Sequence, residues 1–293
     1  MTDIETARSL WESLDGCVVI NLASRPDRYE AFMKSVASVL PASKIHRITA
    51  VNGRDLPSFG KAPWFTESTG TRANYWGGAG GCVLSHRNAI AYAKSQNWRN
   101  VLIFEDDVTL QPNQDVLSML GASLPTLTRP YMLYLGYNKP SPYGICCVEH
   151  GEASLWKTGG VIAAHAYVVS AELYDTLLSV LPVNDDDVWA WLGHYRAIDV
   201  LYRDYVQYWH GVTVYVVNPI LFIQNDAYSD ILMGIPEGPE HACWEKPRTV
   251  YSLRGMVYIC SAPFRRLKIW LNSIRTRRRA RRKGLPGYRR EKE

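Results

Sequence analysis

The 293-residue sequence has no run approaching the roughly 20 apolar residues that cross a bilayer, which excludes a spanning helix as the basis of its function. Its six cysteines, Cys17, Cys82, Cys146, Cys147, Cys243 and Cys260, lack CxxC spacing. That argues against a zinc ribbon or a disulfide framework and for reduced packing residues. The opening Met1-Thr-Asp-Ile-Glu-Thr6 has neither the basic start nor the apolar segment of a signal peptide, so a cytoplasmic protein is expected. There is no internal repeat, which excludes a solenoid. Neither the GxGxxG nor the GxxxxGK[ST] spacing occurs, so the two commonest phosphate-binding loops are absent.

What is present is an ordinary folded composition, 47% hydrophobic and 21% charged, with enough length for one large core and an appendage. The net charge of +5 is unevenly divided. From Arg265 to Glu293 there are 13 Lys or Arg against 2 acids, leaving 20 basic and 26 acidic residues in the body, a net of −6. Body and tail therefore suit different partners. Residues 1–255 are expected to form the catalytic domain and residues 256–293 a basic amphipathic tail.

The stretch with most chemistry is Asn100-Val-Leu-Ile-Phe-Glu-Asp-Asp-Val108, in which an apolar run meets Glu105, Asp106 and Asp107. Four apolar residues without alternation suit a strand covered on both faces, as in the middle of a parallel sheet flanked by helices. Ligands gather at the carboxyl ends of such strands. Three crowded acids repel one another, and a hard divalent cation, Mn²⁺ or Mg²⁺, would relieve them. Capping of a following helix accounts for the same residues.

Strand and helix signals alternate along the chain, the α/β pattern. A short helix is expected over residues 4–14, a strand over Gly16–Leu22 and a helix from Pro26 to about Leu40. Arg25 and Arg28 in the intervening turn suit phosphate, base or plain solvent. A strand over Ile45–Val51 ends at Asn52-Gly53, and residues 54–79 read as a lid or binding loop. Gly77-Gly-Ala-Gly-Gly81 is expected to open a helix to Gln96, where free N–H groups could hold phosphate. His86 on its apolar face fits a core histidine or a ligand contact.

Further on, a helix is expected over Asp115–Leu124, strands over Tyr131–Gly136 and His165–Ser170, and a hairpin or irregular strands between Tyr143 and Trp156. Ser170 is expected to cap a helix over Ala171–Leu181. Asn184-Asp-Asp-Asp187 reads first as a helix cap, with metal or acceptor binding by Asp187 the other reading. Asp199 stands between apolar neighbours in a helix and needs a partner or a task. Val212–Val217 is a strand, followed by Pro219 to Ile231 with polar residues that could line the same cleft, and Pro236–Pro247 is loop-like. In the tail, Phe264, Leu267, Leu271 and Ile274 recur at spacings of 3, 4 and 3 with Trp270 and basic residues around them. That pattern suits a helix lying on an anionic membrane, with other polyanions or plain solvation as alternatives. Nucleic acid is not the expected partner.

Four segments, Val18-Val-Ile-Asn-Leu-Ala-Ser-Arg-Pro-Asp-Arg28, Gly80-Gly-Cys-Val-Leu-Ser-His-Arg87, Leu102-Ile-Phe-Glu-Asp-Asp107 and Pro219 to Ile231, resemble glycosyltransferase family 25 in order and spacing. That family contains lipopolysaccharide and collagen galactosyltransferases. Ala50-Val-Asn-Gly53 resembles its AVDG turn, with Asn52 in place of Asp.

The resemblance implies a GT-A type nucleotide-binding sheet and a UDP-sugar donor, most often UDP-galactose. It places Glu105 and Asp107 on a metal, with Asp106 facing the ribose or sugar. Asn21, Arg25, Arg28 and Asn52 would lie near the nucleotide, with Ser85 and His86 lining the donor pocket. Asp199 is expected as the base that deprotonates the acceptor hydroxyl, with Asp187 second. Gln224, Asp226 and His210 are candidates for a third metal ligand, Gln224 also for the donor pocket. The expected acceptor is a lipid-linked glycan of lipopolysaccharide or capsule type, met at the inner membrane face. The rivals are a metal-dependent phosphohydrolase and a polyanion-binding protein acting through its tail.

Overall fold

The computed structural model describes residues 10–224 and 246–287. The expected helix at residues 4–14 therefore lies only partly within it, ending as a helical turn at residues 10–12. Asp226, most of the segment up to Ile231, the loop after Pro236 and Cys243 fall outside the described residues.

The first unit is β1 (Gly16–Asn21), α1 (Pro26–Val36) and β2 (Ile45–Thr49), with Pro26 at the first helical position. Then come α2 (Thr71–Ser95), β3 (Asn100–Glu105), β4 (Val108–Leu110), α3 (Gln114–Ser123) and β5 (Tyr131–Gly136). Short β6 (Lys139–Pro140) precedes the hairpin β7 (Tyr143–His150) and β8 (Ala153–Thr158). β9 (Val161–Ile162) and β10 (Ala166–Ser170) lead to α4 (Tyr174–Val180), α5 (Asp185–Tyr195) and α6 (Ile198–Leu201). A π-helical segment, Tyr202–Trp209, runs into β11 (Thr213–Asn218) and β12 (Phe222–Gln224). β13 (Arg248–Thr249), α7 (Leu253–Cys260) and α8 (Ala262–Arg282) complete the described chain.

Nine strands form one sheet in the order β13-β7-β8-β11-β5-β10-β3-β1-β2. The expected α/β class, a central sheet flanked by helices, is the observed one. The sheet is mixed where a parallel one was expected around β3: β1 pairs with it in parallel, but β10 pairs with it antiparallel. Along β3, Val101 and Ile103 face one core and Leu102 and Phe104 the other. Burial on both faces is what the unbroken apolar run signals; the direction of a neighbouring strand leaves no mark in it.

Two further expectations are corrected. Ser170 does not cap a helix; its hydroxyl accepts from the Tyr131 N–H at 3.0 Å, and a 3-10 turn at Ala171–Leu173 separates it from α4. Nor do Gly77–Gly81 open a helix, because α2 already starts at Thr71 and the glycines lie inside it. Their N–H groups sit within the helical ladder rather than free for phosphate. The irregular stretch taken as a lid accordingly stops at Gly70.

Interior glycines each weaken a helix by about 1 kcal/mol relative to alanine, so packing must offset them. A Cβ on Gly81 would lie 2.2 Å from the Val51 carbonyl oxygen and 2.7 Å from the Gly53 nitrogen. One on Gly53 would lie 2.0 Å from the Gly77 oxygen. The bare helix face is thus the seat of the Val51–Arg54 segment. Ser85 completes the contact, accepting from Val51 N–H at 2.8 Å and donating to the Gly81 carbonyl at 2.6 Å.

Of the five described cysteines, none is paired. Cys17 is a buried packing residue, whereas Cys147 and Cys260 are exposed. No described helix is long and apolar enough to cross a membrane. At an unencumbered helical glycine, alanine stabilises; here Gly81→Ala should cost about 1–3 kcal/mol by overpacking. Urea unfolding measures it, and a variant as stable as the parent would show that the loop does not rest on this face.

Candidate active site

β1 and β3 are neighbours that end on the same side, and the chain leaves β1 toward β2 on one flank and returns to β3 on the other. The crevice beyond their carboxyl ends is therefore a topological switch point, where open α/β sheets bind ligands. It holds about 110 Å³ and is lined by Arg28, Asn52, Ser85, His86, the three acids and Gln224. Gly78 of the glycine run lines it as well, as do Arg54 and Cys82, which spacing had not singled out as site residues.

Each acid has its own surroundings. Asp106 accepts from the Asn21 amide at 2.5 Å and pairs with Arg28 at 3.3 Å. Burial raises its pKa, and Asn21 and Arg28 partly counter this. Glu105 receives His86 Nε2 at 3.2 Å. Burial opposes its charge, yet the His86 hydrogen bond and charge outweigh it and hold the carboxyl below its usual value. Asp107 is pushed up to about 7, first by burial and then by the Glu105 charge.

Gln224 stands across the last two acids, its Nε2 donating to Asp107 Oδ2 at 3.1 Å and lying 3.5 Å from Glu105 Oε2. The β4–β12 ribbon places it there, pairing Gln224 with Val108. Asp107 Oδ1 is buried without a hydrogen-bond partner. An amide donor between two carboxylates and an orphaned oxygen are what a small cation would replace, so the residues fit a metal. Turned over, the Gln224 amide would present its own oxygen.

A second donor set, Cys82, His86 and Glu105, brings ligand atoms within 4.8 Å of one another. It suits a metal less well. His86 already uses both ring nitrogens, Nε2 on Glu105 and Nδ1 on the Tyr167 hydroxyl at 2.9 Å. Burial raises the Cys82 thiol well above its usual range, which disfavours the thiolate a metal needs. His86 is better described as the residue that orients Glu105. From it a hydrogen-bonded chain continues through Tyr167 to the Tyr202 hydroxyl at 3.1 Å.

Of the remaining expected residues, Arg25, Asp187 and His210 do not line the crevice, and Asn52 on its wall is engaged locally. Arg25 turns away to Asp27, 2.8 Å distant. Asn52 caps the turn at Gly53–Asp55, accepting from Arg54 N–H at 3.2 Å. Asp187 is exposed in the first turn of α5, where Asn184 accepts from its N–H, so the capping reading describes Asn184. His210 is exposed and meets the Tyr205 ring edge to face. Asp199 does not line the crevice. It lies near enough to the α2 face bearing Tyr75 and Cys82, and to Glu105, for their charges to interact. Burial raises its pKa.

The comparisons with known proteins bear on this geometry. Residues 15–136 match glycosyltransferase family 25 (LPS biosynthesis protein). The match runs from β1 through β5 and contains every expected donor-site residue but Gln224. Family 25 supports glycosyltransferase activity, with a sugar donor and a glycan acceptor. No curated protein matches the chain. Among solved structures, one of mannose-1-phosphate geranyltransferase from Thermus thermophilus shows 12% identity over 71% of this chain and 75% of that one, with a TM-score of 0.37. A score that low carries no argument about fold or chemistry.

Asp107 generates a prediction about the metal-free protein. Its folded pKa lies above the unfolded value, so the native state holds the extra proton between about pH 4 and 7 and stability falls as pH rises through that window. Asn cannot ionise. The stability of Asp107→Asn relative to the parent, from urea titrations in EDTA, should grow by on the order of 1–3 kcal/mol from pH 4 to 7 and level off above pH 8. A difference independent of pH would mean that Asp107 titrates normally.

Proposed function

We propose that the protein transfers a hexose, galactose foremost, from a UDP-sugar to a glycan hydroxyl on a GT-A type scaffold. The observation that carries this reading is the pair Glu105 and Asp107, bridged by Gln224 at a switch point, with an orphaned Asp107 oxygen. In this reading Glu105, Asp107 and Gln224 hold Mn²⁺ or Mg²⁺. Such an ion, when bound, neutralises the diphosphate and stabilises the charge on departing UDP. Asn21, Arg28 and Asp106 hold the nucleoside side of the donor, and Asn52, Ser85 and His86 form the walls. Arg25 stands at the margin.

The acceptor hydroxyl oxygen forms the new bond to the anomeric carbon as the bond to the UDP oxygen breaks, and that electron pair leaves with UDP. Asp199 takes the hydroxyl proton. Burial raises its pKa, which makes its carboxylate a stronger base than a solvent-exposed one, and it lies beside the α2 face that bears Tyr75 and Cys82. Asp187, capped and exposed, is the second choice.

The tail supplies a location. Phe264, Leu267, Trp270 and Leu271 of α8 are exposed, Phe264 at 72%, and basic residues surround them. These features support docking of residues 256–293 on an anionic inner-membrane surface, where lipid-linked acceptors of lipopolysaccharide or capsule type are met.

Calorimetric titration with UDP tests the donor site. Binding should require Mn²⁺, vanish in EDTA, and weaken at least tenfold in Glu105→Ala/Asp107→Ala. Binding unaffected by EDTA and by both substitutions would remove the basis of the proposal. Rapid sugar release from UDP-galactose without an acceptor would point instead to a hydrolase.

A further inference from the structure

A second cavity, about 470 Å³, lies where the start of α2, the end of α5 and the far end of α8 meet. It shares no lining residue with the carboxylate crevice. We infer that it binds an anionic saccharide, a sugar bearing phosphate or carboxylate, as the acceptor subsite. Its acceptor role rests on the functional reading above.

Aromatic rings form one wall. Trp64 and Trp76 lie with ring centroids 6.2 Å apart, with Tyr75 beside them. Flat faces of this kind cover the C–H face of a sugar ring, while their polar edges tolerate its hydroxyls. The size accommodates one or two sugar rings rather than an extended polymer.

Cations form the rest. Arg72 and Arg196 come from the body, and Arg277, Arg279 and Lys283 from the tail. Among the described residues no carboxylate lines the cavity, and none of these five cations has an ion-pair partner. Five like charges around one space repel one another, and an anion with several oxygens would relieve them. The Arg72 guanidinium is held 5.1 Å over the Trp76 ring, so charge and aromatic surface meet in one place.

Arg196 adds independent support. Its backbone has φ 74° and ψ −55°, and the Ala197 N–H donates to the Tyr195 carbonyl at 3.0 Å. This is the rare, strained form of γ-turn, which glycine adopts far more readily than arginine. A strained arginine that faces a ligand-sized cavity indicates that the side chain is needed there. The same turn leads into α6, three residues before Asp199. Tyr75 of the cavity wall is close enough to both Asp199 and Arg196 for each charge to act on its hydroxyl. The cavity thus adjoins the proposed base, as an acceptor subsite must.

The tail helix then has two sides. Thr276, Ala280 and Lys283, spaced by 4 and 3, turn to the cavity, while Phe264, Leu267 and Leu271, spaced by 3 and 4, are exposed. One face can serve the acceptor while the other serves a membrane.

Titration of the full chain with glucose 6-phosphate, glucuronate, glucose and inorganic phosphate, followed by tryptophan fluorescence and calorimetry, is the test. At least one anionic sugar should bind ten or more times tighter than glucose and than phosphate alone, and weaken in high salt. Which of the two binds tells phosphate from carboxylate. Arg196→Gly should lower that affinity about tenfold with Tm unchanged or raised, and Arg72→Ala/Lys283→Ala should lower it further. Neither should alter binding of UDP with Mn²⁺. Glucose or phosphate binding as well as the anionic sugars, or undiminished affinity in Arg196→Gly, would overturn the proposal. Anionic sugar bound at this cavity by a protein that never binds UDP would support the cavity and count against the donor reading alone.

Discussion

Repulsion among three carboxylates at the end of one strand is the constraint around which the rest of the site is arranged. Glu105 ends a strand whose apolar run is fully buried, and Asp106 and Asp107 follow in the turn to β4, so the chain itself holds the three acids together. Each is met by a group from elsewhere: His86 from α2, Arg28 from α1, Asn21 from β1 and Gln224 from β12. Only Asp107 keeps a buried oxygen without a partner. The remaining imbalance is negative and localised, which is the condition for taking up a cation.

The helix that carries His86 is held by what it lacks. Gly77 and Gly81 leave no room for a side chain, and the Val51–Arg54 segment occupies the space. That contact brings Asn52 and Arg54 to the crevice. The same helix continues toward its start to Trp76, Tyr75 and Arg72, at the second cavity. One long helix therefore joins a negatively charged crevice to a positively charged cavity. Opposite charge along neighbouring turns of the helix, from Arg72 to His86, suits an anionic saccharide at its start and a cation-bound diphosphate farther along.

Much of this was legible in the sequence because it was local. Buried strands show as unbroken apolar runs, and β1, β3 and β5 were readable to within a residue or two. Helix starts with Pro26 or Asn184 were readable from their capping chemistry. The glycine run misled for a physical reason. Glycine in isolation reads as a breaker, and only the neighbouring loop that packs against it explains its presence inside a helix. Ser170 misled similarly, since its cap-like position says nothing of Tyr131 across the sheet.

By itself, the sequence determined the α/β alternation, the acidic strand end, the division of charge between body and tail, and a short list of polar residues. Those properties depend on neighbours in the chain. Tertiary structure alone decided that β10 runs against β3, that His86 serves Glu105 and Tyr167 together, and that Gln224 reaches acids more than a hundred residues away. It also decided that aromatic residues near position 70 and arginines beyond position 275 enclose one cavity. Such pairings follow from how distant surfaces bury one another, and no local pattern encodes which surfaces will meet.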